Sequence, residues 1–162
     1  MKNKILKLVT VSMLFIMTGN VSGQKKYEEI GEYKEGLAVV RSKGKYGFIN
    51  KAKKEIIPLK YDNASDFYEG FALVELNEKR GLIDKSGKII IPIEYDNIGD
   101  FSEGLASVCL NNKCGFVDKS GKVSIPLKYD YLGTFRNGFA QVVLNDREIT
   151  INKSGKCVQG CP

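Results

Sequence analysis

Short stretches of the chain alternate between apolar and varied residues, and this alternation returns at a fixed spacing. In residues 71–76, Ala, Val and Leu occupy every second position, while the residues between them change from copy to copy. Alternation with a period of two predicts a half-buried β-strand. We expect the fixed face to form the core and the varied face to look outward. The fixed positions are Ala72, Val74 and Leu76; Ala106, Val108 and Leu110; and Ala140, Val142 and Leu144.

The copies follow one another at a period of 34 residues. The segments 61–92 and 95–126 align without insertion or deletion, and a glycine marks the same place in every copy. A fixed period of this length indicates stacked supersecondary units that share their cores. We place four units at about residues 27–60, 61–94, 95–128 and 129–162, the last of them incomplete. The marking glycines are Gly36, Gly70, Gly104 and Gly138.

Each unit has the signals of three strands. A glycine expected at positive φ precedes the alternating strand. The second strand, residues 81–84 in unit 2, leads into an Asp-Lys-Ser-Gly-Lys turn whose glycine suits the left-handed position of a hairpin. The third strand, residues 89–92, should end at its proline, because proline cannot donate to the strand ladder. The sequence therefore predicts an all-β fold, a tandem array of about four three-stranded β-meanders.

The two ends of this repeat bear on whether the array is open or closed. The last unit reaches the turn at residues 153–156 and then lacks an Ile-Pro strand, and nothing before Tyr27 supplies one. A closed propeller usually joins its ends by sharing one blade between the termini. We therefore favour an open, twisted, solenoid-like array, with a closed propeller-like ring as the alternative.

Residues 1–23 have the pattern of a secretory signal peptide. Lysines surround and enter an apolar run from Ile5 to Met17, and residues 21–23 are small or modest in size. The apolar run is shorter than the roughly 20 residues that span a bilayer. We expect cleavage to leave a β-repeat domain of residues 24–162 with no membrane span, in a secreted, periplasmic or cell-surface location. An uncleaved membrane tether is the alternative.

Charge and composition narrow the classes of function. The formal net charge of +6 falls to +3 for residues 24–162, because the leader contributes three lysines and no acid. Lysines and carboxylates alternate along the rest, without the basic stripe of a nucleic-acid groove, so we expect no nucleic-acid partner. Histidine is absent, which removes Ser-His-Asp and Cys-His catalysis and the usual general base near neutral pH. We expect no enzyme activity and no cofactor or metal.

The four cysteines interrupt the repeat. Cys109 and Cys114 flank a two-residue Asn-Asn turn that would place them opposite each other, and Cys157 and Cys161 stand where the last unit should have its third strand. In a secreted chain disulfides are the natural interpretation. Of three possible pairings we favour 109–114 with 157–161, the second bridge capping the array end. A four-thiolate zinc site and a redox-active disulfide are alternatives, although neither has its usual Cys-x-x-Cys motif.

Tyrosine and aspartate recur together at the unit junctions, as in Tyr61-Asp62. We expect the tyrosines to pack between units and the aspartates to accept turn N–H groups. An array of acid/base or sugar-binding pairs is the alternative interpretation of the Tyr-Asp pairs, and catalysis by paired carboxylates is that of the repeated turn residues Asp84 and Asp118. Other tyrosines differ between copies, and these are candidates for a ligand-binding surface or are scattered surface residues. They are Tyr33, Tyr46, Tyr68 and Tyr131.

A set of motifs recurs along residues 27–155: residues 45–50 (Lys-Tyr-Gly-Phe-Ile-Asn), residues 113–118, the Lys-Ser-Gly-Lys turns, the Ile-Pro strands and the Tyr-Asp pairs. In these motifs the chain resembles the bacterial WG-repeat family, also called KWG repeats. The tryptophan of the family motif is replaced in every copy, and Ile149 replaces the glycine in the fourth. The replacing residues are Tyr46, Arg80, Cys114 and Glu148.

The resemblance implies a β-rich, non-catalytic repeat protein of the bacterial envelope or exterior, with no defined substrate or catalytic residue. Our first functional hypothesis is a module that binds a protein partner through the variable strand face and loops. The second is a carbohydrate-binding module of the cell surface. A small enzyme is the third.

Overall fold

The computed structural model describes residues 26–161 as sixteen antiparallel strands in four sheets, one for each repeat unit. Sheet 1 contains β1 (Glu29–Ile30), β2 (Leu37–Ser42), β3 (Lys45–Asn50) and β4 (Glu55–Tyr61). Sheet 2 contains β5 (Asn63–Ala64), β6 (Phe71–Leu76), β7 (Lys79–Asp84) and β8 (Ile89–Tyr95). Sheet 3 contains β9 (Asn97–Ile98), β10 (Leu105–Leu110), β11 (Lys113–Asp118) and β12 (Val123–Tyr129). Sheet 4 contains β13 (Tyr131–Leu132), β14 (Phe139–Leu144), β15 (Arg147–Asn152) and β16 (Cys157–Gln159).

The all-β fold and the tandem units are as predicted, but each unit has four strands rather than three. The additional strand has only two residues and follows the Tyr-Asp pair, as β5 does when Asn63 and Ala64 pair with Glu75 and Val74 of β6. Two residues cannot show an alternating pattern, so the sequence did not reveal this strand. The predicted leader, residues 1–23, lies outside the described residues.

The third strand of units 1 to 3 does not end at its proline, which corrects the sequence prediction. In unit 2, β8 continues beyond Pro92 to Tyr95. A step of two residues along β7, from Leu82 to Arg80, is matched by a step of four along β8, from Ile91 to Tyr95. Because β8 is the edge of its sheet and bulges at this point, the proline's missing N–H costs no ladder hydrogen bond.

The bulge explains the glycine that unit 2 has at position 81. A Cβ added to Gly81 would lie 2.7 Å from the carbonyl oxygen of Ile91 and 2.9 Å from the Cα of Ile93. The glycine is therefore required by the close approach of β8. Unit 4 has Ile149 at this position, and its third strand, β16, has no proline. We expected no third strand in unit 4, but β16 pairs with β15 through Cys157 and Gln159.

Adjacent units supply one another's cores. The ring of Phe48 in unit 1 meets that of Phe67 in unit 2 edge-on, with centroids 4.8 Å apart. Phe116 and Phe135 repeat this contact between units 3 and 4 at 4.7 Å. Among residues 26–161, every core cluster that joins two units joins neighbours in sequence, and none joins units 1 and 4. The described array is therefore open, as we favoured.

The strand faces are only partly as predicted. Ala72 and Val74, on the fixed face of β6, are fully buried against unit 1. The varied face does not look outward, because Leu73 packs in the core shared with unit 3. Stacking covers both faces of an internal sheet, so varied residues reach solvent mainly at the margins.

Candidate functional site

Near the two-residue hairpin turns, three residues from three adjacent strands form a cross-strand row in each unit. In unit 2 the row is Asn63, Glu75 and Arg80, since Glu75 pairs with both of the others. We call these sets the variable rows, because their chemistry changes from unit to unit. The other three are Glu29, Arg41 and Tyr46; Asn97, Cys109 and Cys114; and Tyr131, Val143 and Glu148.

A constant framework holds the rows. Asp62 of unit 2 accepts hydrogen bonds from Lys45 Nζ of unit 1 and, at 2.7 Å, from the backbone N–H of Asn77 in the hairpin turn of its own unit. The lysine, and next the turn N–H, hold the pKa of Asp62 below its ordinary value. The same arrangement recurs at Asp96 and Asp130. The predicted structural role of these aspartates is thus confirmed.

The junction tyrosines are also structural, as predicted. Tyr61 and Tyr129 are fully buried and Tyr95 nearly so. Tyr61 lies in the core between units 1 and 2, and Tyr129 in the core between units 3 and 4. Desolvation raises the pKa of Tyr95 above its ordinary value.

The rows of units 1 and 2 carry charged and aromatic groups. In unit 1, Arg41 donates to Glu29 at 2.9 Å, and its guanidinium lies 5.8 Å from the ring centre of Tyr46. In unit 2, Arg80 Nε donates to Glu75 at 3.2 Å, and its Nη1 donates at 2.9 Å to Asn97 of unit 3. Arg80 therefore links two neighbouring rows.

All four cysteines form disulfide bonds. Cys109 and Cys114 are bonded to each other within the row of unit 3, and Cys157 is bonded to Cys161 at the C-terminal end of the array. The favoured pairing is confirmed. Since all four thiols are consumed, the four-thiolate zinc alternative is wrong.

The row of unit 4 is the most open. Tyr131 has an exposed fraction of 65%, Glu148 is exposed and Val143 is half-buried. Among the described residues no unit follows unit 4. The row of unit 4 therefore has no neighbour from a following unit, whereas Arg80 in the row of unit 2 contacts Asn97 of unit 3. The row thus presents an aromatic ring and a carboxylate on the two strands that flank Val143.

The four candidate tyrosines divide between the two ends of the sheets. Tyr46 and Tyr131 belong to variable rows at the hairpin end. Tyr33 and Tyr68 lie at the opposite end, next to the Glu-Gly turns that precede β2 and β6. Tyr68 is 75% exposed, whereas Tyr33 is 38% exposed and donates to the carbonyl oxygen of Asn50.

At the Glu-Gly end the units are joined by contacts that the sequence analysis missed. Glu35 accepts the backbone N–H of Gly70 in unit 2 at 3.1 Å and pairs with Lys85 at 2.9 Å. Lys85, and then the N–H of Gly70, lower the pKa of Glu35. Glu103 makes the corresponding bond to Gly138. The sequence signal for these contacts is a Glu and a Lys fifty residues apart, which recur in successive copies. The last unit has Asn137 in place of the glutamate.

The aspartates of the Asp-Lys-Ser-Gly-Lys turns also accept hydrogen bonds within the fold. Asp84 Oδ1 accepts the Ser86 hydroxyl at 2.6 Å and the backbone N–H groups of Ser86 and Lys88. The serine hydroxyl bond is the main cause that lowers the pKa of Asp84. Asp118 is held in the same way by Ser120 and Lys122. These carboxylates stabilise turns.

The structure also bears on membrane spanning. Within residues 26–161 there is no helix long and apolar enough to cross a bilayer.

Comparison with known proteins gives distant structural likenesses. No curated protein matches the sequence. The structure "KlHsv2 with loop 6CD replaced by a Gly-Ser linker" is similar with a TM-score of 0.45 and 10% identity, over 79% of this chain and 50% of that chain. A protein of unknown function from Bacteroides caccae is similar with a TM-score of 0.35 and 17% identity, over 84% and 61%. A plant lectin with two metal binding sites from Cicer arietinum has a TM-score of 0.30 and 12% identity, over 82% and 92%. The chain thus spans less than two thirds of the first two structures.

The repeat itself has a family match. The family described as a WG containing repeat matches four times, over residues 18–46, 46–79, 81–114 and 115–147. These matches cover most of the sequence and agree with the motifs at residues 45–50 and 113–118. The chain belongs to the WG-repeat family.

Proposed function

We propose that the protein is a secreted or cell-surface binding module without catalytic activity, and that it recognises a protein partner through the variable rows and the hairpin turns beside them. The observation that carries the proposal is a contrast within the repeat. The Lys–Asp–turn framework is the same at three successive junctions, whereas each row it supports has a different chemistry.

The residue types of the rows fit a protein partner. Arginine and tyrosine are enriched among the residues that carry most of the energy of protein–protein binding. The rows hold Arg41, Tyr46, Arg80 and Tyr131 on short strands whose backbone is fixed by the sheets. Because this backbone is already ordered, binding costs little further backbone entropy.

Location outside the cytoplasm is part of the proposal. Two disulfides in one small domain are typical of an oxidising compartment. The signal-like pattern of residues 1–23 leads to the same expectation.

The absence of catalysis is supported by the absence of histidine and by the use of the repeated carboxylates. Asp62 and Asp84 and their equivalents each accept two or more hydrogen bonds within the fold. A catalytic acid or base needs to face a reacting group instead.

A carbohydrate ligand is the second candidate. The observation that favours it is the exposure of Tyr68 and Tyr131, at 75% and 65%. An exposed ring offers an apolar face beside a hydroxyl that can hydrogen-bond.

Affinity capture from native envelope extract, with the chain as bait, tests the proposal. The bait is compared with two variants: Arg80→Ala, which alters the rows, and Tyr68→Ala, which alters the opposite end and serves as the control. We expect one protein to be captured by the wild type and by Tyr68→Ala, and to be lost with Arg80→Ala. A glycan array with Tyr68→Ala and Tyr131→Ala runs in parallel.

Loss of the captured protein with Tyr68→Ala but not with Arg80→Ala would contradict recognition by the rows. Saturable glycan binding that depends on either tyrosine, without protein capture, would establish the second candidate. Circular dichroism of both variants verifies that the fold is retained.

A further inference from the structure

The C-terminal end of the array has an open groove that is filled at the other junctions. The groove has a volume of about 700 Å³. Six of its lining residues are 68 positions after six residues that line the groove between units 2 and 3, where only about 100 Å³ remains. The lining residues of unit 4 in this comparison are Gly133, Thr134, Arg136, Phe139, Gln141 and Thr150.

The internal groove shows what occupies this place. It is closed by residues 98–101 of unit 3 (Ile-Gly-Asp-Phe), which line it together with Phe71 and Leu82 of unit 2. The rings of Phe71 and Phe101 have centroids 5.5 Å apart. The occupant is therefore a short segment with an aliphatic residue, an acid and an aromatic residue.

The same segment lies uncovered at the other end of the array. Residues 30–33 of unit 1 (Ile-Gly-Glu-Tyr) correspond position by position to residues 98–101. Ile30 is 51% exposed, and the Glu32 side chain is 80% exposed. The centre of this face is already covered, because Ala38 is buried and Tyr27 packs in the same cluster. At the margin of this face, the segment of residues 30–33 is exposed and can make a contact.

The charges of groove and segment are complementary. The internal groove contains two acids, Asp66 and Asp100. In unit 4 the position of Asp66 is Thr134, and Arg136 takes the place of Tyr68. No ion-pair partner of Arg136 is found within residues 26–161. A segment with an acid at its third position would meet a cation there.

We propose that the groove of unit 4 binds residues 30–33 of a second copy of this chain, so that the protein associates head to tail. Tyr33 stacks on Phe139, which is 48% exposed, and Glu32 pairs with Arg136. This self-association is separate from the recognition of another protein by the variable rows, and either can fail without the other.

The association is weaker than an internal junction, for two reasons. Gln141 and Thr150 replace Leu73 and Leu82 on the groove floor, so less apolar surface is buried. Asn137 replaces the glutamate that bonds to the next unit at internal junctions. A head-to-tail contact uses different surfaces on the two copies and leads to a ring or to longer assemblies.

Sedimentation velocity over a wide range of protein concentration tests the proposal, with the full chain expressed in a secreting host. We expect reversible, concentration-dependent assembly of the wild type. Glu32→Arg and Arg136→Glu should each raise the dissociation constant at least about tenfold, because they place like charges together. The double variant E32R/R136E should restore assembly, since the pair is then reversed. Lys122→Glu, which reverses an exposed charge in the middle of the array, is the matched control.

A wild type that stays monomeric at every concentration would overturn the proposal. A double variant that assembles no better than the two single variants would also overturn it, because the charges would then not be in contact. Glu32 pairs with Lys34 in its own molecule at 2.7 Å. Thermal unfolding of each variant separates a loss of this exposed pair, which is worth little, from a loss of assembly.

Discussion

Replacing Gly81 by alanine tests whether the close approach of β8 determines the glycine of the repeat. The new Cβ would lie 2.7 Å from the carbonyl oxygen of Ile91 and 2.6 Å from the Cγ1 of Ile93. An ordinary contact between carbon and a carbonyl oxygen is roughly 3.3 Å or longer, so the backbone of β8 has to move by about 0.6 Å. Overpacking of this kind costs about 1–3 kcal/mol. We expect the upper part of that range, because the atom that must move belongs to the backbone.

Gly70→Ala in the same unit is the matched control. Gly70 has a φ of 86°, and nothing lies within 4 Å of an added Cβ. The substitution therefore tests backbone conformation without a clash, at a cost of about 1–2 kcal/mol.

Urea denaturation followed by circular dichroism gives the free energy of unfolding of both variants. We expect Gly81→Ala to lower it more than Gly70→Ala does. Equal losses, or a smaller loss for Gly81→Ala, would refute the argument that the proline bulge dictates this glycine.

Two further predictions concern pH and the disulfide of unit 3. Because hydrogen bonds hold the pKa of Asp62 and of Asp84 below their ordinary values, these carboxylates stabilise the fold above about pH 4 and the stability is lost as pH falls through the lower folded-state pKa. The urea concentration at the unfolding midpoint should thus be nearly constant from pH 7 to about pH 5 and fall in more acidic solution. The variant Asp84→Asn, which copies the natural Asn152, should keep the turn and reduce this acid-dependent fall. An unchanged fall would contradict the role of Asp84. Replacing Cys109 and Cys114 by serine should lower the free energy of unfolding by about 2 kcal/mol, since the bond closes a short loop of the unfolded chain; no change in urea denaturation would contradict a stabilising bond.

The sequence predicted the features that depend on local pattern. The alternation at Ala72 and Val74, the turn around Gly87 and the junction at Tyr61 each follow from a few neighbouring residues. The disulfide between Cys109 and Cys114 was predicted for the same reason, because a two-residue turn fixes which positions face each other.

Features that depend on stacking could not be predicted in this way. The strand at Asn63 has two residues and no pattern of its own, so its pairing with β6 defines it. Pro92 was misinterpreted because its effect depends on whether the strand lies at a sheet edge. Glu35 bonds to Gly70 and Lys85 of the next unit, and only the packing of the two units brings these groups together.

The location of the candidate site also depends on how the units stack. Leu73 occupies a varied position, which the sequence pattern predicts to face outward, but the next unit covers it. Stacking leaves the rows of units 1, 2 and 4 at least partly accessible at the hairpin end, whereas Cys114 in the row of unit 3 is buried. This contrast arises from stacking, because an isolated unit would expose both Leu73 and the row.

Exchanging one variable row for another tests the central claim most directly. The double substitution Glu75→Arg with Arg80→Tyr gives unit 2 the pair that unit 1 carries at Arg41 and Tyr46. Isothermal titration against the partner protein captured from envelope extract measures the effect. We predict an unfolding free energy within about 1 kcal/mol of the wild type, since cross-strand pairs at this place contribute little, and a loss of affinity of at least about tenfold. An affinity equal to that of the wild type would contradict recognition by the variable rows.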